Sequence, residues 1–221
     1  MGVAGTGFTQ LTFFDCQAHA DGFIANEFVK RLPNGSKISV LDAGCSPGYN
    51  GAITTIQLHK RLRRTGAIVE THALDLLVPE TLEGKTKNGI TYFQHDLLSD
   101  ELPQKQYDVI RATNVLFYFK PTDAQKVEDK LVERLRNGGI FVKTHSDPVA
   151  SYGKQRVKTL NLYQKRGGEL HLLQVLEPEP RASRTFVPCE IIKKRPADAA
   201  HLRESQAARK LAREMFVSMH R

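Results

Sequence analysis

The feature that most constrains this 221-residue chain is the segment Ile38–Gly48, where an apolar strand pattern runs into an acid and then into a loop of small residues. The aliphatic run at its start is typical of a strand buried in a parallel sheet. Asp42 follows that run, and Gly44 and Gly48 then bracket Ser46, which permits a tight turn close to a ligand. Doubly wound sheets bind nucleotides at such strand ends. The segment therefore predicts a nucleotide-type site on an α/β fold.

The rest of the chain alternates strand and helix patterns. Helices are predicted over residues 8–32, from Gly51 to Thr65, over Thr122–Arg136 and over residues 148–166. Strands are predicted at Thr71–Leu76, Ile90–His95, Tyr107–Thr113, Ile140–Val142, Leu170–Leu176 and Thr185–Ile192. Alternation that closes with two consecutive strands predicts a Rossmann-like, seven-stranded, mostly parallel sheet. We expect an antiparallel strand pair at one end and helices on both faces.

Three kinds of ligand compete for the glycine loop. A dinucleotide fingerprint requires G-x-G-x-x-G, but Ser46 and Tyr49 stand at the second and third glycine positions. A phosphate-binding P-loop requires Gly-Lys-Ser/Thr, and that ending does not follow Gly48. S-adenosylmethionine (SAM) instead presents a cationic amino-acid end, which Asp42 suits directly or through water. The loop therefore favours SAM over NAD or a nucleoside triphosphate.

The loop resembles motif I of class I SAM-dependent methyltransferases, and the resemblance continues at the next strand ends. In that family an acid at the position of Asp75 accepts hydrogen bonds from the ribose hydroxyls. An acid at the position of Asp96 contacts the adenine amino group, with Leu97 beside the ring. The cofactor-binding set that the resemblance implies is Asp42, Gly44, Cys45, Ser46, Gly48, Asp75, Leu76, Asp96, Leu97, Asn114 and Val115.

Three motifs within residues 38–147 are similar to the catalytic domain of chemotaxis receptor (glutamate O-) methyltransferases: Ala-Gly-Cys-Ser-x-Gly, Asn-Val-Leu-x-Tyr-Phe and His-Ser-Asp. The resemblance implies a SAM-dependent methyltransferase and favours an oxygen acceptor, either carboxylate or hydroxyl. That family carries acids where this chain has Tyr49 and Asn50, and it holds its receptor with additional domains, so the resemblance does not support a receptor substrate. We expect an N-terminal helical segment at 1–36, the SAM-binding methyltransferase domain at 37–195 and a basic C-terminal helix at 196–221.

The candidate catalytic side chains are His145, Tyr118 and Lys143, which follow or end the fourth and fifth predicted core strands. A carboxylate acceptor needs no general base, whereas a hydroxyl or an amine can require one. The segment Gly138–Lys143 also resembles the fifth strand of ribose 2′-O RNA methyltransferases, in which a Lys activates the hydroxyl. An RNA methyltransferase is therefore an alternative, although no acid occurs in Ala112-Thr113-Asn114, where those enzymes need one.

Positive charge is concentrated in the tail. The net charge is +8, and from Arg181 onward ten Lys/Arg stand against four Asp/Glu. Such a tail could bind nucleic acid or an acidic partner, so a non-catalytic binding module is a further alternative.

The three widely spaced cysteines (Cys16, Cys45 and Cys189) show no zinc or disulfide pattern. No apolar run approaches a bilayer span, and we expect a cytoplasmic protein without a metal or a membrane partner.

Overall fold

The computed structural model describes residues 8–10, 17–47, 51–146, 158–176 and 186–188. The α-helices among these residues are α1 (Ala18–Phe23), α2 (Ile53–Arg63) and α3 (Pro121–Glu133). Helix α1 continues through a π-helical turn (Ile24–Phe28) into a 3₁₀ turn (Val29–Arg31), and a second 3₁₀ turn spans Leu116–Tyr118. The strands are β1 (Phe8–Gln10), β2 (Lys37–Ala43), β3 (Ile68–Asp75), β4 (Thr86–Lys87), β5 (Ile90–Gln94), β6 (Tyr107–Ala112), β7 (Leu135–Ser146), β8 (Lys158–Arg166), β9 (Glu169–Leu176) and β10 (Phe186–Pro188).

Eight of these strands form one sheet in the order β4-β5-β3-β2-β6-β7-β8-β9. Its centre, from β5 through β3, β2 and β6 to β7, is parallel. The flanking strands β4, β8 and β9 pair antiparallel. The predicted mostly parallel, Rossmann-like sheet with an antiparallel end is confirmed, with eight strands instead of seven. Strands β1 and β10 form a separate antiparallel pair.

Helices cover both faces of the sheet because successive residues of a strand point to opposite sides. Val40 of β2 packs in one core with Leu58 of α2 and with residues of α1. Leu41, the next residue, packs in a second core with Leu131 of α3. These cores fix the position of the carboxyl ends of the parallel strands, where the predicted site lies.

Two predicted elements near the end of the chain differ from the structure. The prediction of a helix over 148–166 is wrong for its described part, since residues 158–166 form β8. Leu160 and Leu162 are buried on β8 with the period of two that a strand requires, and β8 pairs along β7. The described part of the strand predicted at Thr185–Ile192 is Phe186–Pro188, which pairs with Phe8–Gln10 and not with β9.

Two predicted helices are shorter than expected. Within 8–32, residues Phe8–Gln10 are a strand and the helix begins at Ala18. The helix predicted at Thr122–Arg136 ends at Glu133, because the backbone there joins the sheet: the Tyr107 N–H donates to the Arg134 carbonyl at 2.8 Å.

The predicted tail helix at 196–221 lies outside the described residues, as do Gly48, Tyr49 and Asn50. No described helix has the length and apolarity that crossing a membrane requires.

Candidate functional site

The carboxyl ends of four neighbouring parallel strands meet at one edge of the sheet. They are Ala43 of β2, Asp75 of β3, Gln94 of β5 and Ala112 of β6. Every predicted cofactor-binding residue that the structure describes lies at one of these ends or in the turn that follows it. The structure therefore brings the predicted residues together, and their individual roles stay predictions.

The turn after β2 is built so that only glycine fits at its first position. Gly44 has φ of +81°, and its N–H donates to the Leu74 carbonyl at 2.8 Å. A Cβ added at Gly44 would lie 2.7 Å from Cβ of Val115, which is far inside van der Waals contact. Cys45 is buried, and burial followed by the charges of Asp75 and Asp42 raises the pKa of its thiol well above the ordinary value. Cys45 is therefore an inert filler of the turn.

Two non-glycine residues at this edge adopt left-handed backbone conformations. Ser46 has φ of +54° and Asn114 has φ of +59°, at a cost of about 1 kcal/mol each. The Ser46 N–H donates to Oδ2 of Asp75 at 2.8 Å, and the Asn114 N–H donates to Oγ1 of Thr144 at 3.0 Å. Strain that surrounding hydrogen bonds maintain is characteristic of binding sites.

Asp75 links the glycine turn to its own strand end. Its Oδ1 accepts the Leu77 N–H at 2.9 Å, while its Oδ2 accepts the Ser46 N–H. Burial raises the pKa of Asp75 above the ordinary value, against the effect of the two N–H donors. A carboxylate oxygen accepts more than one hydrogen bond, so Asp75 can also bind a ribose hydroxyl. Leu76, the next residue, is exposed.

Asp96 organises the turn after β5. Its Oδ1 accepts the Leu98 N–H at 3.0 Å, and its own N–H donates to Oδ2 of Asp100 at 2.7 Å. Burial acts to raise the pKa of Asp96, but hydrogen bonds from Leu98 and Ser99 outweigh it and the pKa is lowered. Leu97 is buried beside this ionised carboxylate.

A buried ionic cluster lies under the ends of β2 and β6. Arg111 is fully buried, and its Nε and Nη2 donate to Oδ1 and Oδ2 of Asp42 at 2.9 and 2.6 Å. Its Nη1 donates to Oδ1 of Asp21 on α1 at 3.0 Å. Thr55 of α2 donates its hydroxyl to Oδ2 of Asp42. The guanidinium thus joins β6 to β2 and α1, and Thr55 adds α2 to the cluster through Asp42.

Two carboxylates around one buried cation leave an excess of negative charge. Burial raises the pKa of Asp21 to about 6, with Arg111 opposing the rise and Asp42 adding to it. The oxygens of Asp42 accept three hydrogen bonds, from Nε and Nη2 of Arg111 and from Thr55, against two for Asp75. A contact between Asp42 and the cofactor stays a prediction. Sequence reasoning missed Arg111 and Asp21. The available signal was a charged residue inside an apolar strand, because buried charges require a partner.

A second polar contact joins α1 to the end of β6. Nε2 of Gln17 donates to Oγ1 of Thr113 at 2.5 Å. Oε1 of Gln17 is buried and has no hydrogen-bond partner among the described residues. An unsatisfied buried acceptor costs about 1–3 kcal/mol. Thr113, the partner of the Gln17 amide, directly precedes Asn114. Sequence reasoning gave no signal for Gln17.

The three candidate catalytic residues have different surroundings. Nζ of Lys143 donates to both carboxylate oxygens of Glu128 on α3, at 2.5 and 2.7 Å, and lies 5.2 Å from the ring centroid of Tyr163. An ammonium that donates hydrogen bonds to a carboxylate has no lone pair with which to accept a proton, which favours a structural ion pair over a general base. Tyr118 ends the 3₁₀ turn after β6. His145 lies in β7 opposite Thr159, and its side chain is outside the described part of the structure.

The described residues contain no group of three or more His, Cys, Asp or Glu side chains that could hold a metal ion.

Comparisons with known proteins relate part of this chain to methyltransferases. Residues 78–164 match the family model of the CheR methyltransferase SAM-binding domain. The chain is 32% identical over 77 residues to a chemotaxis protein methyltransferase of Listeria monocytogenes, a match that covers 35% of this chain and 29% of that protein. It is 29% identical over 105 residues to a chemotaxis protein methyltransferase of Listeria innocua, covering 48% of this chain and 37% of that protein. The chain thus spans about a third of the length of these relatives.

One solved structure, the N-methyltransferase NodS of Bradyrhizobium japonicum in complex with S-adenosyl-L-homocysteine, superposes with a TM-score of 0.43 at 19% identity. The superposition covers 59% of this chain and 60% of that chain. At this TM-score the likeness carries no conclusion about this chain. The matches in sequence show that the chain resembles the SAM-binding domain of CheR methyltransferases.

Proposed function

We propose that the chain is a class I SAM-dependent methyltransferase that binds SAM along the strand-end edge. The observation that carries the proposal is the match of residues 78–164 to a SAM-binding methyltransferase domain, since that stretch includes the turn of Asp96 and the ends of β6 and β7. In this arrangement Asp75 binds the ribose, Asp96 and Leu97 bind the adenine, and the turn of Gly44–Ser46 holds the amino-acid end.

The chain's own residues fit this ligand. The glycine turn provides the close backbone approach, since a Cβ at Gly44 would fill the space beside Val115. Oε1 of Gln17 is a buried acceptor with no partner in the part of the chain that the structure describes, and its side chain contacts the end of β6 through Thr113, where a ligand N–H would satisfy it. Carboxylates at two strand ends supply acceptors for hydroxyl and amino groups. The same edge therefore offers acceptors for the nucleoside and a cradle for the amino-acid end.

The chemistry requires little of the protein beyond alignment. SAM supplies a methyl group on a sulfonium, so the acceptor's lone pair forms a bond to the methyl carbon as the carbon–sulfur bond breaks, with the electrons going to sulfur. The strand-end residues orient the reacting groups in line and exclude water.

We infer that the acceptor is an oxygen and favour a carboxylate. A carboxylate attacks without a general base, which suits a site in which Lys143 already donates to Glu128. The relatives named above are chemotaxis protein methyltransferases, which supports the same acceptor class. A ribose hydroxyl of RNA, bound with the help of the basic tail, is the alternative that the experiment below separates.

The test is transfer of labelled methyl from SAM to lysate fractions of protein, RNA and small molecules. A methyl ester releases its label as volatile methanol in mild alkali, whereas ethers and methylamines retain it. We expect alkali-labile label in the protein or small-molecule fraction. Asp75→Asn should remove most of it, and Glu70→Gln should not, since Glu70 is an exposed acid on the same strand that pairs with Lys105. Alkali-stable label in RNA would establish the alternative, and absence of transfer in every fraction would contradict the proposal.

A further inference from the structure

Lys130 of α3 binds the turn that follows β5 in an unusual way. Its Nζ donates to the main-chain carbonyl oxygens of Leu97 at 3.3 Å, Leu98 at 2.9 Å and Asp100 at 3.0 Å. A lysine ammonium has three N–H donors, so the hydrogen bonds to this one turn use all three donors of Lys130. Three carbonyl dipoles that point at one centre repel each other unless a cation lies there.

The turn around Lys130 is the one that carries the predicted adenine site. The Asp100 N–H donates to the Asp96 carbonyl at 2.9 Å, and the Asp96 N–H donates back to the Asp100 side chain. The connection of residues 95–106 between β5 and β6 contains no helix and no strand. Its shape therefore depends on such contacts and not on a helical or sheet ladder.

Helix α3 provides a firm base for Lys130. Val127 and Leu131, on the adjoining helical face, are buried in the core that also contains Leu97. The lysine thus connects a rigid packed helix to a turn without regular structure. Lys126, one turn earlier on the same helix, is mostly exposed and lies 3.7 Å from Asp123.

We propose that Lys130 is a positioning residue that holds the turn of Asp96 and Leu97 in the shape that accepts the purine of the cofactor. The inference rests on the proposed function. Without the ammonium the three carbonyls separate, and Asp96 and Leu97 leave their places. Affinity then falls for every ligand that carries the adenine, while the alignment of methyl and acceptor is unchanged once the cofactor is bound.

The experiment measures binding of S-adenosylhomocysteine (SAH) and of 5′-methylthioadenosine by calorimetry, with the full chain. Methylthioadenosine has the adenine and ribose but lacks the amino-acid end. In Lys130→Met we expect both dissociation constants to rise at least tenfold and by a similar factor. The matched control Lys126→Met should bind both ligands as wild type does. Lys130→Arg retains a cation with several donors and should stay within about threefold of wild type.

Steady-state kinetics and thermal unfolding complete the test. We expect KM for SAM to rise in Lys130→Met with kcat within about twofold of wild type, and Tm within a few degrees. Equal SAH affinity in wild type and Lys130→Met would overturn the inference alone, as would weaker SAH binding with unchanged methylthioadenosine binding. Unfolding of Lys130→Met at the assay temperature would also overturn it, because Lys130 would then be a general determinant of stability. A wild-type chain that binds no SAH would overturn the proposed function as well.

Discussion

The two halves of the strand-end edge hold their carboxylates differently. Under β2 and β6, Asp42 and Asp21 are buried and both bind the guanidinium of Arg111. At β3 and β5, Asp75 and Asp96 are only partly buried, and their oxygens accept backbone N–H groups of nearby turns. In the first half, ion pairs leave the carboxylate oxygens little capacity to accept further hydrogen bonds. In the second half, the carboxylate oxygens can still accept hydrogen bonds from a ligand.

This difference indicates a division of labour among acids that look equivalent in sequence. We propose that the β2–β6 half maintains the fold around the glycine turn and that the β3–β5 half binds the nucleoside. Variants of the first half should therefore change stability, and variants of the second half should change affinity.

The largest expected effect follows removal of the shared cation. Arg111→Met leaves two buried carboxylates unpaired and should lower the free energy of unfolding by about 3–5 kcal/mol, measured by urea denaturation. Arg136→Met removes an ion pair with Asp108 that is half exposed, and should cost about 1 kcal/mol or less.

A triple variant tests whether charge causes that loss. Combining Arg111→Met with Asp21→Asn and Asp42→Asn removes every formal charge from the cluster, and should recover at least half of the lost stability. A triple variant no more stable than Arg111→Met would show that packing, and not unpaired charge, holds this half together.

The glycine turn lies between the halves, and its substitution gives the next effect. Gly44→Ala should cost about 3 kcal/mol, since it adds a clash with Val115 to an unfavourable positive φ. Gly35 is the matched control because its φ is +80° and its Cβ would meet nothing within 4 Å. Gly35→Ala should therefore cost only about 1 kcal/mol. Equal losses of unfolding free energy in the two variants would refute the close approach.

Protonation of Asp21 gives a smaller effect with a definite sign. Burial raises the pKa of Asp21 from 3.8 to about 6, and the charge of Asp42 adds to the rise. The Asp21 carboxylate therefore binds a proton more tightly in the folded state than in the unfolded state. This group's contribution to stability therefore decreases as pH rises from about 4 to about 6. The pH profile of wild type minus that of Asp21→Asn should show a fall of roughly 2 kcal/mol over that interval. Asp129→Asn, at an exposed position, is the control substitution. A difference between wild type and Asp21→Asn that does not change with pH would contradict the assignment.

The sequence predicted the parts of this edge that depend on periodicity and turn chemistry. The apolar run before Asp42 and the paired glycines located the end of β2 and its turn, and Asp75 and Asp96 were placed at their strand ends. The sequence alone did not separate the four acids, because burial and pairing depend on residues distant in the chain. Asp42 and Arg111 are 69 positions apart, and Arg111 and Asp21 are 90 apart.

Dependence on distant residues also explains why the helix predicted over 148–166 is wrong in its described part. Residues 158–166 contain both a period of two and a polar pattern compatible with a helix, and pairing with β7 decides between them. The contacts of Lys130 could not be predicted from the sequence for another reason. A lysine on a polar helix face ordinarily contacts water, and its three carbonyl partners lie at least 30 positions away.

The most direct test of the division of labour is titration of SAH into wild type, Asp75→Asn and Glu70→Gln, with thermal unfolding of each. We expect one SAH per chain, an affinity about tenfold lower in Asp75→Asn, equivalent to about 1.4 kcal/mol, and wild-type affinity in Glu70→Gln. The Tm of all three should agree within a few degrees. No SAH binding by wild type, or equal affinity in wild type and Asp75→Asn, would contradict the account.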